Sequence, residues 1–371
     1  MNISFKSIFY VIASIIGLVV ILSLAKNLLI PLCFAMLFAF ILYPIIKWLV
    51  KKGLNKAFSI AMTMSIVIIL LLGVIVLFSA QIIDISGQYS NLFSKLKDAL
   101  DASTSFLNTK VQLIPDIQSK ELLNQLSEFF SDNGFLMVSD TVGITSSFFT
   151  YLVLTIIYTF LILLYSNHLV SAIGYFSPKK SRDSFHKMLK EVQEVGQQYL
   201  TGMVLLILIL GLLNSIGLLI VGIEYSFLFG FLAALLAVIP YVGSTIGGLI
   251  PTFYAFINYD SYWYPVGVII VFAVIQFIEG NVLSPRIVGG SLKINALFSI
   301  LSLIAGSFLW GISGMILFLP MVAMLKVVCF HYDELKPISM LLGNMGDVEI
   351  VEVDLEEKKN NILKRLWSLR K

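Results

Sequence analysis

Pro240-Tyr241-Val242-Gly243-Ser244-Thr245-Ile246-Gly247-Gly248-Leu249-Ile250-Pro251 lies at the middle of 35 uncharged residues, Tyr225 to Tyr259, enclosed by Glu224 and Asp260. As one straight helix that run would extend about 52 Å, far beyond the roughly 30 Å hydrocarbon core of a bilayer. Its prolines, glycines and two hydroxyls break it instead. A second uncharged run, Ile294 to Leu325, holds 32 residues and is interrupted by Gly306-Ser307-Phe308-Leu309-Trp310-Gly311-Ile312-Ser313-Gly314 and later by Pro320. Each run either crosses once as a kinked helix or enters halfway and returns as a re-entrant hairpin. Broken backbone at membrane depth is tolerated only where protein buries it or where it lines a wet cavity, so a pair of such breaks points to a solute or ion site. The structural alternative is that glycines such as Gly243-x-x-x-Gly247 simply let helices pack closely.

Composition supports a membrane setting. Of the residues 58% are hydrophobic and 13% charged, and the mean hydropathy is +0.94, values of a multi-span membrane protein rather than a soluble domain. Further spans are read at Ile8 to Ala25, Leu28 to Ile46, Ser59 to Ile83, Ile144 to Leu164, Tyr199 to Ile223 and Ser261 to Ile278. The first exceeds a typical signal-peptide core and is read as retained. A net charge of only +3, spread over several loops, argues against a nucleic-acid partner.

Lys and Arg set the orientation. Lys47, Lys51, Lys52 and Lys56 follow the second span, and Lys179, Lys180, Arg182, Lys187 and Lys190 follow the fourth, which places both segments and both termini in the cytoplasm. Between spans three and four, Asp84 to Asp140 carries eight acids against four lysines and is expected outside. Leu92, Leu96 and Leu100, then Leu122, Leu123, Leu126 and Phe129, recur there at amphipathic helical spacing. Re-entrant hairpins put the connection bearing Arg286 and Lys293 inside, so the positive-inside pattern favours them. The expected fold is an all-α integral membrane protein with six full spans and two broken re-entrant helical hairpins; eight spans is the alternative. It divides into spans 1–83, an extracytoplasmic helical segment 84–142, a transport core 143–326 with a cytoplasmic basic segment 166–198, and a cytoplasmic tail 327–371. Val348 to Asp354 alternates as a strand or acidic tract would, and Asn360 to Lys371 reads as a basic amphipathic helix suited to lipid headgroups.

No enzyme is expected. His168, His186 and His331 lie far apart, no metal-ligand spacing occurs, and neither a phosphate-binding G-x-x-x-x-G-K-[ST] loop nor a G-x-S-x-G elbow is present. Cofactor and metal are expected to be none. Cys33 and Cys329 leave no disulfide framework.

Polar residues inside the apolar runs define the candidate pathway: Asn214 in the fifth span, Ser244 and Thr245 in the first break, Gln276 and Glu279 at the end of the sixth span, then Asn281 and Ser284, with Pro240, Gly243, Pro285 and Arg286 shaping or flanking it. Glu279 follows eighteen residues without a charge, and an ionisable group so placed is a functional candidate. Gln276 and Glu279, at i and i+3, share a helix face. The set offers donors and acceptors to a small hydroxylated solute, and Glu279 is placed to carry a proton. A membrane-edge cap, or an ion pair with Arg286, is the structural alternative.

Ile239-Pro240-Tyr241-Val242-Gly243-Ser244, Glu279-Gly280-Asn281-Val282-Leu283-Ser284-Pro285-Arg286-Ile287-Val288-Gly289, and Gly311-Ile312-Ser313-Gly314 with Pro320 together resemble the signature half of the AI-2E (autoinducer-2 exporter-like) transporter family, from about Tyr199 to Lys326. The resemblance implies a multi-pass protein of a bacterial-type plasma (inner) membrane, assembled as a homo-oligomer, a pentamer, in which each subunit has its own pathway. It implies export of autoinducer-2 or a similar small polar solute, or sodium/proton antiport coupled to H+ or Na+. A non-transporting membrane scaffold is the third reading, and it leaves the two polar breaks unexplained.

Overall fold

The computed structural model describes residues 5–87, 149–175, 182–239, 242–289 and 292–344. Helices dominate: α1 (Phe5–Leu24), α2 (Lys26–Lys51), α3 (Lys56–Gly87), α4 (Phe149–Leu164), α5 (Ser166–Tyr175), α6 (Arg182–Val221), α7 (Ser226–Leu236), α8 (Val242–Asn258), α9 (Trp263–Ile278), α10 (Ala296–Phe330) and α11 (Lys336–Leu342). Among the described residues the only β pairing is an isolated bridge, Ile294 to Gly343. α2, α3, α6, α9 with its extension, and α10 are each long and apolar enough to cross a bilayer, and α4 with α5 forms a sixth, bent candidate. The expected outer amphipathic helices, apart from 84–87 at the end of α3, and the tail strand and helix lie outside the described residues.

The chain forms two compact units, one of residues 1–59, 158–204 and 283–371, the other of 60–157 and 205–282. In the first, Ile30 and Leu37 of α2 pack with Trp310, Leu317 and Met324 of α10. Trp310 also donates its indole N–H to the Leu22 carbonyl at 2.9 Å, satisfying the one polar atom of a buried ring. α10 is not one rod. At Gly311 the backbone takes φ 60°, ψ −137°, a conformation essentially reserved for glycine, and the helix doubles back. Gly306 and Gly314 then touch backbone to backbone, so that a Cβ on either would overlap the carbonyl of the other. Residues eight apart on a straight helix would be separated by about 12 Å of rise, so the second break is a hairpin. Asn295 anchors its entry: Oδ1 accepts from the Phe298 N–H at 2.9 Å as an N-cap, and Nδ2 donates to the Leu341 and Gly343 carbonyls at 2.8 and 3.1 Å.

The second unit contains the first break. α7 has 11 residues, about 16 Å, roughly half a bilayer. α8 returns along it: a Cβ at Gly247 would fall 2.8 Å from Ala233 Cα, and one at Gly243 would overlap the Leu236 carbonyl. The two pairings run in opposite directions along α7 and α8, as the halves of an antiparallel hairpin do. Both readings of the glycines therefore hold, because the backbone reverses and the glycines are the surface on which its halves meet. Between helices in lipid there is little hydrophobic gain to drive association, so close packing through small residues supplies it.

Candidate functional site

α6 presents two adjoining stripes to its neighbours within the second unit, here called the hairpin unit after its α7–α8 hairpin. Gly211 and Ser215 meet α7, where a Cβ on Gly211 would lie 2.6 Å from the Phe231 ring and one on Gly230 would overlap Ser215 Oγ. Gly217 and Val221 meet Val271 and Gly267 of α9. At 100° per residue, Asn214 falls between the two stripes. It is 5% exposed, and its Oδ1 is buried with no hydrogen-bond partner among the described residues. Its neighbour Ser215 illustrates the ordinary solution, donating to the Gly211 carbonyl at 2.6 Å. An unpaired buried acceptor costs about 1–3 kcal/mol, so Asn214 is a polar group held at a helix junction without a structural partner.

The rest of the expected set is distributed along this unit and its edge. Gly243 is buried at the hairpin contact and Thr245 is exposed on α8. Ser244 belongs to α8, its side chain lying outside the description, and Pro240 is outside the described residues. Gln276 is exposed in the last turn of α9, and Glu279 is half-buried immediately after it. There the helix widens into π turns, Glu279–Leu283 and Pro285–Gly289. Pro285 cannot donate an N–H to the ladder, and π turns recur at functional sites. Asn281 is exposed and donates from Nδ2 to the Phe277 carbonyl at 2.8 Å. Ser284 is half-buried, while Pro285 and Arg286 are exposed. The boundary between the units falls after Val282, so Glu279 and Asn281 belong to the hairpin unit and Ser284, Pro285 and Arg286 to the other.

A further polar cluster, which the sequence reading missed, caps the opposite end of the hairpin. Tyr254 donates to Glu224 Oε2 at 3.4 Å, and Tyr259 Oη accepts from the Glu224 N–H at 2.8 Å while donating to the Gly222 carbonyl at 3.1 Å. Tyr264 stacks on Tyr259 with ring centres 4.1 Å apart. Tyr225 holds φ 57°, an uncommon conformation for a bulky residue. Beside it, a cavity of about 350 Å³ is lined by Glu224, Ser226 and Gln81 among others, and Gln81 Oε1 is likewise buried without a partner among the described residues. The signal in the sequence was the recurrence of tyrosines at 225, 254, 259 and 264 on both flanks of the uncharged run; Gln81 is recruited only by tertiary packing.

Charge among this unit's described residues has one sign. Its described residues include Asp84, Glu224, Asp260 and Glu279 and no Lys, Arg or His. Among the described residues no group of three or more His, Cys, Asp or Glu is placed to hold a metal ion.

Comparison with known proteins matches this architecture. The profile described as AI-2E family transporter covers residues 8–334. The Bacillus subtilis (strain 168) protein named "Putative transport protein YrrI" is 28% identical over 83% of this chain and 87% of its own length. YueF of the same organism is 28% identical over 81% and 83%. The AI-2 transport protein TqsA of Escherichia coli (strain K12) is 22% identical over 87% of this chain and 91% of its own length. With the match spanning nearly the whole chain, this all-α, multi-pass membrane protein belongs to the AI-2E family of transporters.

Proposed function

We propose that the protein is a permease that exports a small polar solute, autoinducer-2 or a similar hydroxylated metabolite, through the hairpin unit. The observation that carries this reading is Asn214, whose buried Oδ1 has no partner among the described residues at the junction of α6, α7 and α9. A hydroxylated solute supplies the missing donor. Gln81 Oε1 and the Glu224 cavity at one end of the hairpin, and Gln276 in the last turn of α9 with Glu279 and Asn281 just after it at the other, extend the route, with Ser244 and Thr245 of α8 also assigned to it. On this reading the protein catalyses no covalent chemistry. It resides in a bacterial inner membrane with both termini in the cytoplasm and assembles as a pentamer with one pathway per subunit.

Sodium/proton antiport is the second reading, favoured by Asp84, Glu224, Asp260 and Glu279, the acidic groups among the unit's described residues, which raise the local concentration of cations. Proteoliposomes separate the two. Labelled autoinducer-2 or a related polyol is expected to equilibrate down its gradient, more slowly in Glu279→Gln. Sodium-dependent dequenching of a pH dye, lost in Glu279→Gln and unaccompanied by solute flux, would replace the permease with the antiporter.

A further inference from the structure

A bend of 68° separates α4 from α5 at Tyr165. Lys56 secures it, donating from Nζ to the Leu164 carbonyl at 2.9 Å and to Ser166 Oγ at 3.0 Å. With α4 crossing the bilayer, α5 leans towards the membrane plane and exposes Leu169, Val170 and Ile173. Beneath this shelf, inside the first unit, is a cavity of about 470 Å³. Phe40 and Val170 line it with hydrocarbon, while Tyr43, Asn167, His186 and Lys190 supply polar groups. That division matches an amphiphile.

The charge matches an anionic one. Among the described residues no Asp or Glu lines the cavity, and α2, α4 and α5 contain none. Lys47 adds a second cation beside it, with Nζ 5.9 Å from the centre of the Tyr43 ring. Two acids of α6 are engaged: Glu191 lies 4.0 Å from Lys187 and 3.6 Å from His331, and Glu194 lies 3.5 Å from Lys190. The Lys190 pair has side-chain exposures of 77% and 50%, so solvent screens it and it holds Lys190 only weakly.

We propose that this cavity binds an anionic phospholipid, with the phosphate-bearing headgroup on Lys190, His186 and Asn167 and an acyl chain along Phe40 and Val170. The test uses purified full-length protein incubated with phosphatidylglycerol or with phosphatidylcholine of identical chains, bound lipid being counted by native mass spectrometry. Phosphatidylglycerol is retained preferentially, and Lys190→Ala, an exposed change, lowers its retention about fivefold, the factor expected for one lysine at an anionic surface. Val170→Trp, which fills the apolar end, lowers it as well, and inorganic phosphate does not displace the lipid. Equal retention of the two lipids, unchanged phosphatidylglycerol retention in Lys190→Ala, or displacement by inorganic phosphate would overturn the proposal.

Discussion

Asn214 separates a transport role from a packing role because the two make opposite demands on stability. If Oδ1 waits for a solute, the empty protein carries an unpaired acceptor, and Asn214→Leu removes that penalty at similar volume. Thermal unfolding in detergent is expected to show equal or greater stability, by up to about 1–3 kcal/mol. A clear drop would mean that the amide holds the helices together. At the tyrosine cluster, Tyr259→Phe removes the hydroxyl that accepts from the Glu224 N–H and donates to the Gly222 carbonyl. Each lost hydrogen bond is worth about 0.5–1.5 kcal/mol, so a measurable fall in unfolding temperature is expected, and none if water replaces the hydroxyl. Residue identity at Asn214 was legible as a polar outlier in an apolar span; its missing partner was not, because that depends on where α7 and α9 place their glycines.

At the scale of elements, the two breaks differed in how much the sequence disclosed. The first carries Pro240 and Pro251 with closely spaced glycines, and its 35-residue length already excluded a straight crossing. The second has no proline at its centre, and glycine alone is compatible with a kink or a reversal. What decides it is the positive φ of Gly311 and the contact between Gly306 and Gly314. Gly311→Ala is therefore expected to cost about 1–3 kcal/mol of stability through backbone strain. Gly314→Ala should cost a similar amount or more by driving a methyl group into the Gly306 carbonyl, whereas the same change at Gly280, which has open space around it, should be close to neutral. Equal unfolding temperatures for all three variants would mean that α10 is not folded back. The π turns after Ile278 escaped the sequence reading, since a helix-breaking Gly280 and Pro285 announce an interruption without specifying its geometry.

For the whole molecule, orientation and route are linked. On the proposed orientation, in which the Glu279 to Lys293 connection faces the cytoplasm, Ser284→Cys is expected to react with a membrane-impermeant thiol reagent only from that side. Labelling from outside would require the broken runs to cross fully. Placing the solute route in the hairpin unit rests on features that lie far apart in sequence: Gln81 on α3, Asn214 on α6 and the glycine faces of α7 and α8. Composition disclosed the membrane and the two breaks, and the signature residues disclosed the family; only the packed unit shows which polar groups lack partners. The most direct measurement is flux of labelled autoinducer-2 through proteoliposomes containing equal amounts of folded wild-type protein or Asn214→Leu. Loss of the solute's hydrogen-bond acceptor is expected to slow flux about tenfold, corresponding to roughly 1.4 kcal/mol, with stability retained; wild-type flux in the variant would contradict passage at Asn214 and with it the hairpin pathway.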